Sequence, residues 1–175
     1  MFIDNRDAEL ITVVDEHNEP TGEIKPRKLI HDDRDWHRMA SVYIINRQGQ
    51  ILCHERASEI QRYPGKWQPY VGGHVRHEET PLGTAVRELY EEVILRVSPS
   101  ELKKGPLRAS EEKRNWIYTF LYKFSGDIEE LRFLDRAVAQ VAFLRFDHIV
   151  SSMQKKPERW ASRLSSLEEM RPYLT

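Results

Sequence analysis

A single cysteine, Cys53, is all the thiol chemistry in this chain of 175 residues. It excludes an internal disulfide and the disulfide-stapled secreted classes, and makes a reducing cytoplasm the simplest home. Long apolar runs are missing as well. No stretch approaches the roughly 20 apolar residues that cross a bilayer, and no charged-then-apolar signal segment is legible, so no membrane association is expected. Nor is there an excess of charge of one sign: 27 basic and 28 acidic residues leave a formal net charge of −1. That balance opposes binding to nucleic-acid backbones by counterion release, so no nucleic-acid partner is expected, although a local basic pocket for a diphosphate stays open. Repeats and low-complexity tracts are also lacking.

What remains is the composition of one compact folded unit, 39% hydrophobic and 31% charged. A chain of this length buries roughly two-thirds of its unfolded surface around a single core. One domain over residues 1–175 is expected, with an accessory hairpin in 1–35 and C-terminal helices in 147–175. Residues 10–14 are β-rich, and 15–22 gather turn residues around Asn18 and Pro20. Residues 31–38 read as a charged loop. Apolar runs at 40–45 and 50–54 flank a turn at 47–49 and predict a second hairpin. Pro64 and Gly65 mark another loop, and 67–71 read as a strand leading to Gly72 and Gly73. Residues 115–124 alternate as a half-buried strand does, and 138–146 read as the last strand. Asp147 then suits a helix cap, Pro157 ends that helix, and Leu164, Leu167 and Met170 give a C-terminal helix one apolar edge.

The most informative stretch is 73–95, GHVRHEETPLGTAVRELYEEVIL. Thr80 suits an N-cap and Pro81 the first helical position, while the two glycines upstream suit a sharp turn that aims carbonyls at an ion. At about 100° per residue, Glu88 and Glu92 lie about 40° apart and Glu91 about 60° to the other side. Three carboxylates therefore share one arc, where like charges cost a helix about 0.2–0.5 kcal/mol per pair. A divalent ion that prefers oxygen ligands resolves the repulsion; a solvated acidic face is the plain alternative. Leu82, Ala85, Val86, Leu89 and Val93 form a separate apolar stripe, which docks the helix and holds its acidic edge in place.

This segment resembles the Nudix box: Gly, five residues, Glu, seven residues, Arg-Glu, an aliphatic, any residue, Glu-Glu, any residue, Gly, an aliphatic. Eight of its nine fixed positions are met, by Gly73, Glu79, Arg87, Glu88, Leu89, Glu91, Glu92 and Leu95. Ile94 replaces the second glycine. Because isoleucine tolerates positive φ poorly, the helix exit is expected to differ. The resemblance covers about residues 40–150 and implies an α/β fold, a Nudix-type α/β/α sandwich around a mixed β-sheet. The flanking runs VVDEHNEPTGEIKPRKLI, WHRMASVYIIN and PGKWQPYVGGHV look more like the branch that includes isopentenyl-diphosphate isomerase. That isomerase carries a catalytic thiol shortly before the helix, whereas residues 68–74 here supply none, and Cys53 reads as a buried strand residue.

With the glutamates present and the thiol absent, the resemblance implies hydrolysis of an organic or nucleoside diphosphate derivative. Mg²⁺ or Mn²⁺ would sit on Glu88, Glu91, Glu92 and the Gly73 carbonyl. Glu88, Glu91 and Arg87 form the implied catalytic set: Glu91 is a further ligand or the base on the attacking water, and Arg87 orients the carboxylates with Glu79 as its structural partner. Arg56 and Lys66, with Arg62, can grip diphosphate oxygens. The partner is a small-molecule diphosphate, and a homodimer is compatible with the chain. His74 and His77 read as loop histidines in preference to zinc ligands, and Trp67 and Trp116 as core. Glu111, Glu112 and Asp135 are candidates for an acid outside the box, and Gln140 stands where relatives often carry Glu. Two other readings stay open: a diphosphate isomerase of the same fold, and a binding module that has lost turnover.

Overall fold

The structure is a computed structural model and describes residues 5–59, 62–133 and 138–174, so Asp135 lies outside the described residues. Strands β1 (Leu10–Val14) and β2 (Pro20–Pro26) form the expected N-terminal hairpin, and helix α1 (Arg27–Asp32) follows, its last two residues overlapping the start of the stretch 31–38 expected as a charged loop. Helical spacing there buries Ile30 against Ile11 and Val13, a match that a charge-rich stretch conceals.

Alternation along the next strands sets the layering. In β3 (His37–Ile45), Ala40, Val42 and Ile44 join one core cluster while Tyr43 and Ile45 join another, and β4 (Ile51–Arg56) repeats the pattern with Leu52 against Ile51 and Cys53. A period of two that is apolar on both sides demands cover on both faces. The chain continues through β5 (Trp67–Gln68), β6 (Val71–His74), α2 (Pro81–Val93), β7 (Leu102–Ser110), β8 (Asn115–Lys123), β9 (Val138–Leu144), α3 (Phe146–Lys155) and α4 (Leu164–Glu168). Helix α2 covers the first face through Ala85, Leu89 and Val93, and α3 and α4 cover the second through Ile149, Met153 and Leu167. The result is the expected α/β/α sandwich around a mixed sheet. Among the described residues, no helix is long and apolar enough to cross a membrane.

Strand β3 is the hub. It runs parallel to β8 from His37↔Asn115 to Ile45↔Lys123, and antiparallel to β6 from Met39↔His74 to Val42↔Val71. The second hairpin keeps its turn, in which Asn46 Oδ1 accepts the Gln48 and Gln50 N–H groups, but its strands pair only at Ile45↔Ile51. They then part, β4 going to β9 and β5. Three further expectations are corrected. The strand expected over 67–71 is two short pieces, and the Gly72–Gly73 turn is part of β6. Asp147 is not the cap of α3, whose N-cap is Arg145; Asp147 lies in the first turn, where its charge favours the helix N-terminus. Strand β7 was not legible, because Gly105 and Pro106 sit at a register shift between Lys104 and Leu107, where proline's missing N–H is tolerated.

Candidate active site

Helix α2 starts as its sequence dictates. Thr80 Oγ1 accepts the Gly83 N–H at 3.0 Å, and Pro81 opens the first turn. Its end corrects the expectation. Ile94 adopts φ 56°, ψ 27°, the left-handed cap a glycine would supply, and the Ile94 N–H returns to Tyr90 O at 3.1 Å. The exit is therefore built as in the motif and carries instead a backbone strain of about 1–2 kcal/mol.

The carboxylates of this helix differ sharply in environment. Glu88 is buried, its side chain 10% exposed, whereas that of Glu91 is 46% exposed. Arg87 ties the group together: Nη1 donates to Glu88 at 2.7 Å and Glu91 at 2.8 Å, Nε and Nη2 donate to Glu79 at 2.9 and 3.1 Å, and Nη2 also reaches the His74 carbonyl at 3.2 Å. Glu79 in turn accepts from Thr84 at 2.7 Å. Burial alone would raise the Glu79 pKa, but these hydrogen bonds outweigh it and hold the carboxyl below its ordinary value. At Glu88 burial wins over Arg87 and the pKa is raised. At Glu92 burial, reinforced by the Glu88 charge, pushes it up to about 8, with Arg56 and the Gly72 backbone pulling weakly the other way.

Strand β6 explains why two glycines precede the helix. A Cβ on Gly73 would collide with Glu88 Oε1, and one on Gly72 with the Ala40 carbonyl. Bare backbone here lets the carboxylate lie against the strand. Alternation then turns His74 to the opposite side, where it meets His31 and His37. His31 Nε2 and His74 Nε2 are 3.0 Å apart, His37 and His74 stack at 5.1 Å, and the three residues offer nitrogens within 4.8 Å of one another. Burial is the main cause that lowers all three pKa values, His31 to about 4 with help from Arg62, so each imidazole is neutral near pH 7, the state that ligates metals. His37 Nε2 is buried without a hydrogen-bond partner among the described residues. This trio corrects the reading of His74 as a loop residue. It was not legible because its members come from α1, β3 and β6 with no motif spacing.

Both sides of β6 open into one cavity of about 1010 Å³, which Glu88, Glu91, Glu92, Gly73 and Arg56 line. Lys66 does not line it; its ammonium lies 5.8 Å from the centre of the Tyr63 ring, which does. His77 stays in the loop, its Nδ1 3.1 Å from Thr12 Oγ1. Of the acids outside the box, Glu112 lines the cavity but its carboxylate pairs with Arg163, and Glu111 faces Arg114 at 3.8 Å. Gln140 bonds Glu55 at the surface. An acid that sequence spacing did not single out, Glu9, also lines the cavity and receives Arg76 at 2.6 and 3.0 Å.

The NUDIX domain profile matches residues 35–166. The chain belongs to the Nudix family. It is 36% identical to an isopentenyl-diphosphate Delta-isomerase of Pectobacterium atrosepticum over 87% of this chain and 85% of that protein. It is 33% identical to Nudix hydrolase 3 of Arabidopsis thaliana over 53% of this chain, which spans 12% of that longer protein. A crystal structure from Deinococcus radiodurans, 19% identical, superposes with a TM-score of 0.72 over 94% of this chain and 98% of its own, a likeness of fold. The chain thus falls in the Nudix hydrolase family, and the curated relatives it matches are named both as Nudix hydrolases and as isopentenyl-diphosphate Delta-isomerases.

Proposed function

We propose that this Nudix protein is a hydrolase dependent on Mg²⁺ or Mn²⁺ that splits the diphosphate linkage of a small organic diphosphate. The observation that carries the reading is the convergence of Glu88, Glu91 and Glu92 with the bare strand at Gly73 in one cavity. The residues fit a divalent ion. Glu92 forms no ion pair among the described residues, and burial strains its charge; a hard cation relieves both. Glu88, Glu92 and the Gly73 carbonyl would hold the ion, with Glu91 at its edge. When bound, it supplies charge screening for the diphosphate and acidifies the attacking water. The neutral trio of His31, His37 and His74 suits a second, borderline divalent ion.

The protein's own groups do the rest. Arg56 grips diphosphate oxygens, and Arg87 keeps Glu88 and Glu91 in register. Glu91, the most exposed of the three, takes a proton from water as its oxygen attacks phosphorus. The bridging P–O bond breaks, and the departing phosphate carries away the electron pair. Glu92→Gln is expected to lower kcat about 10³-fold with the melting temperature held. Near-normal turnover in that variant would remove the mechanism.

Similarity to the isomerase over nearly its full length favours a second reading, proton exchange on an isoprenoid diphosphate. Against it stands Cys53, fully buried in the cluster under α3 and α4, its thiol pushed well up by burial. Deuterium uptake from heavy water into isopentenyl diphosphate, with no phosphate released, would decide for isomerisation.

A further inference from the structure

The cavity is far larger than a diphosphate needs, and its charges are not balanced. Among the described residues, nine basic side chains line it against five acidic ones. Several of the cations are spent on carboxylates: Arg27 and Arg76 on Glu9, Arg87 on the box glutamates, Arg114 on Glu111. Among the described residues, four others make hydrogen bonds or ring contacts only with neutral or backbone groups, Arg56 also feeling the Glu92 charge. Arg56 Nε donates to the Arg62 carbonyl at 2.9 Å, Arg62 Nη1 lies 3.4 Å from the His31 ring, Arg34 Nη2 reaches the Glu112 carbonyl at 3.4 Å, and the Lys113 ammonium stands 5.2 Å from the centre of the Tyr63 ring. Glu112 could neutralise this rim, but its carboxylate is taken by Arg163.

Three segments far apart in sequence build the rim: the turn after α1, the connection from β4 to β5, and the turn from β7 to β8. Tyr63 is its hub. It holds φ 55°, exposes 40% of its surface, and gathers the ammonium groups of Lys66 and Lys113 around one ring. Drawing like charges together is unfavourable unless an anion completes the set.

We propose that Arg34, Arg62 and Lys113 form a second anion subsite, and that the substrate carries, beyond the diphosphate cleaved at the carboxylate edge, a further phosphoryl group seated on this rim. The inference rests on the hydrolase reading for the position of the first subsite, and it narrows the substrate to polyphosphorylated compounds. A singly anchored isoprenoid diphosphate would leave the rim empty.

The test uses inorganic pyrophosphate and tetrapolyphosphate as probes, titrated calorimetrically into the full chain in EDTA. Without metal, turnover plays no part, so the outcome is separate from that of Glu92→Gln. Tetrapolyphosphate, which carries further phosphoryl groups beyond a diphosphate, is expected to bind at least about tenfold more tightly than pyrophosphate. In Arg62→Ala/Lys113→Ala that preference should vanish, while Arg47→Ala, in the exposed turn between β3 and β4, should preserve it. Equal affinities in the wild type, including none measurable for either probe, overturn the proposal. So does a preference that survives in the double variant, or one that Arg47→Ala erases equally.

Discussion

Two regions bury ionisable side chains in this molecule, and they do opposite things. Around β6, Glu88 and His74 are each less than a tenth exposed, yet they border an open cavity. Under α3 and α4, Tyr43 and Cys53 are fully buried and sealed among Ile149, Met153, Trp160 and Leu167. Burial raises the pKa of both sealed groups, so each stays neutral and unreactive. Desolvation is common to the two regions. What separates them is access: beside β6 the cost of burying a charge can be relieved by an arriving cation or anion, whereas under α3 and α4 nothing can arrive.

Gly73→Ala should break this comparison most sharply. The added methyl collides with Glu88 and pushes the carboxylate off the strand, with an expected loss of about 10²–10³-fold in kcat/KM and about 1–3 kcal/mol in stability. Steady-state kinetics beside chemical denaturation measures both, and unchanged kinetics would mean that Glu88 need not rest on β6. Next in size is the acid side of the stability profile. Burial holds His54 at about 4, below the ordinary 6.5, so between those values the unfolded chain binds the extra proton. Stability from this residue is therefore complete above about pH 6.5 and lost as pH falls toward 4, by up to about 3 kcal/mol. Urea midpoints at pH 7.5 and 4.5 should differ less in His54→Gln than in the wild type.

A smaller effect tests the sealed region. Cys53→Ala should cost about 1–2 kcal/mol through a small cavity while leaving turnover unchanged; a large loss of activity in a folded variant would bring the thiol back into the mechanism. The smallest is Ile94→Gly. Relief of the left-handed strain, offset by lost packing of a half-buried side chain, should raise the melting temperature by about 2–4 °C.

Much of the box was legible because helix chemistry is local. Thr80, Pro81, the apolar stripe and the arc of Glu88, Glu91 and Glu92 are all set within 15 residues, whereas the sandwich was expected only through the resemblance to the Nudix box, with β8 legible from its alternation. The helix exit was misjudged because propensity speaks against Ile94 in a left-handed turn, while the hydrogen bonds back to Leu89 and Tyr90 hold it there. What escaped was assembled at long range. His31, His37 and His74 meet only through the pairing of β3 with β6, and Glu9 reaches the box loop only because the hairpin folds over it. Strand β7 hid behind Gly105 and Pro106. Lys66 looked equivalent to Arg56 in sequence, yet only Arg56 lines the cavity.

The hairpin has a consequence for how far the box is a module. The His77 N–H donates to the Leu10 carbonyl at 2.7 Å, its ring meets Thr12, and Arg76 is clasped by Glu9. The loop that leads into α2 is thus braced by residues more than sixty positions upstream. Transplanting residues 73–95 onto a foreign scaffold would carry the ligands but leave the brace behind, and the graft would inherit the motif without its rigidity.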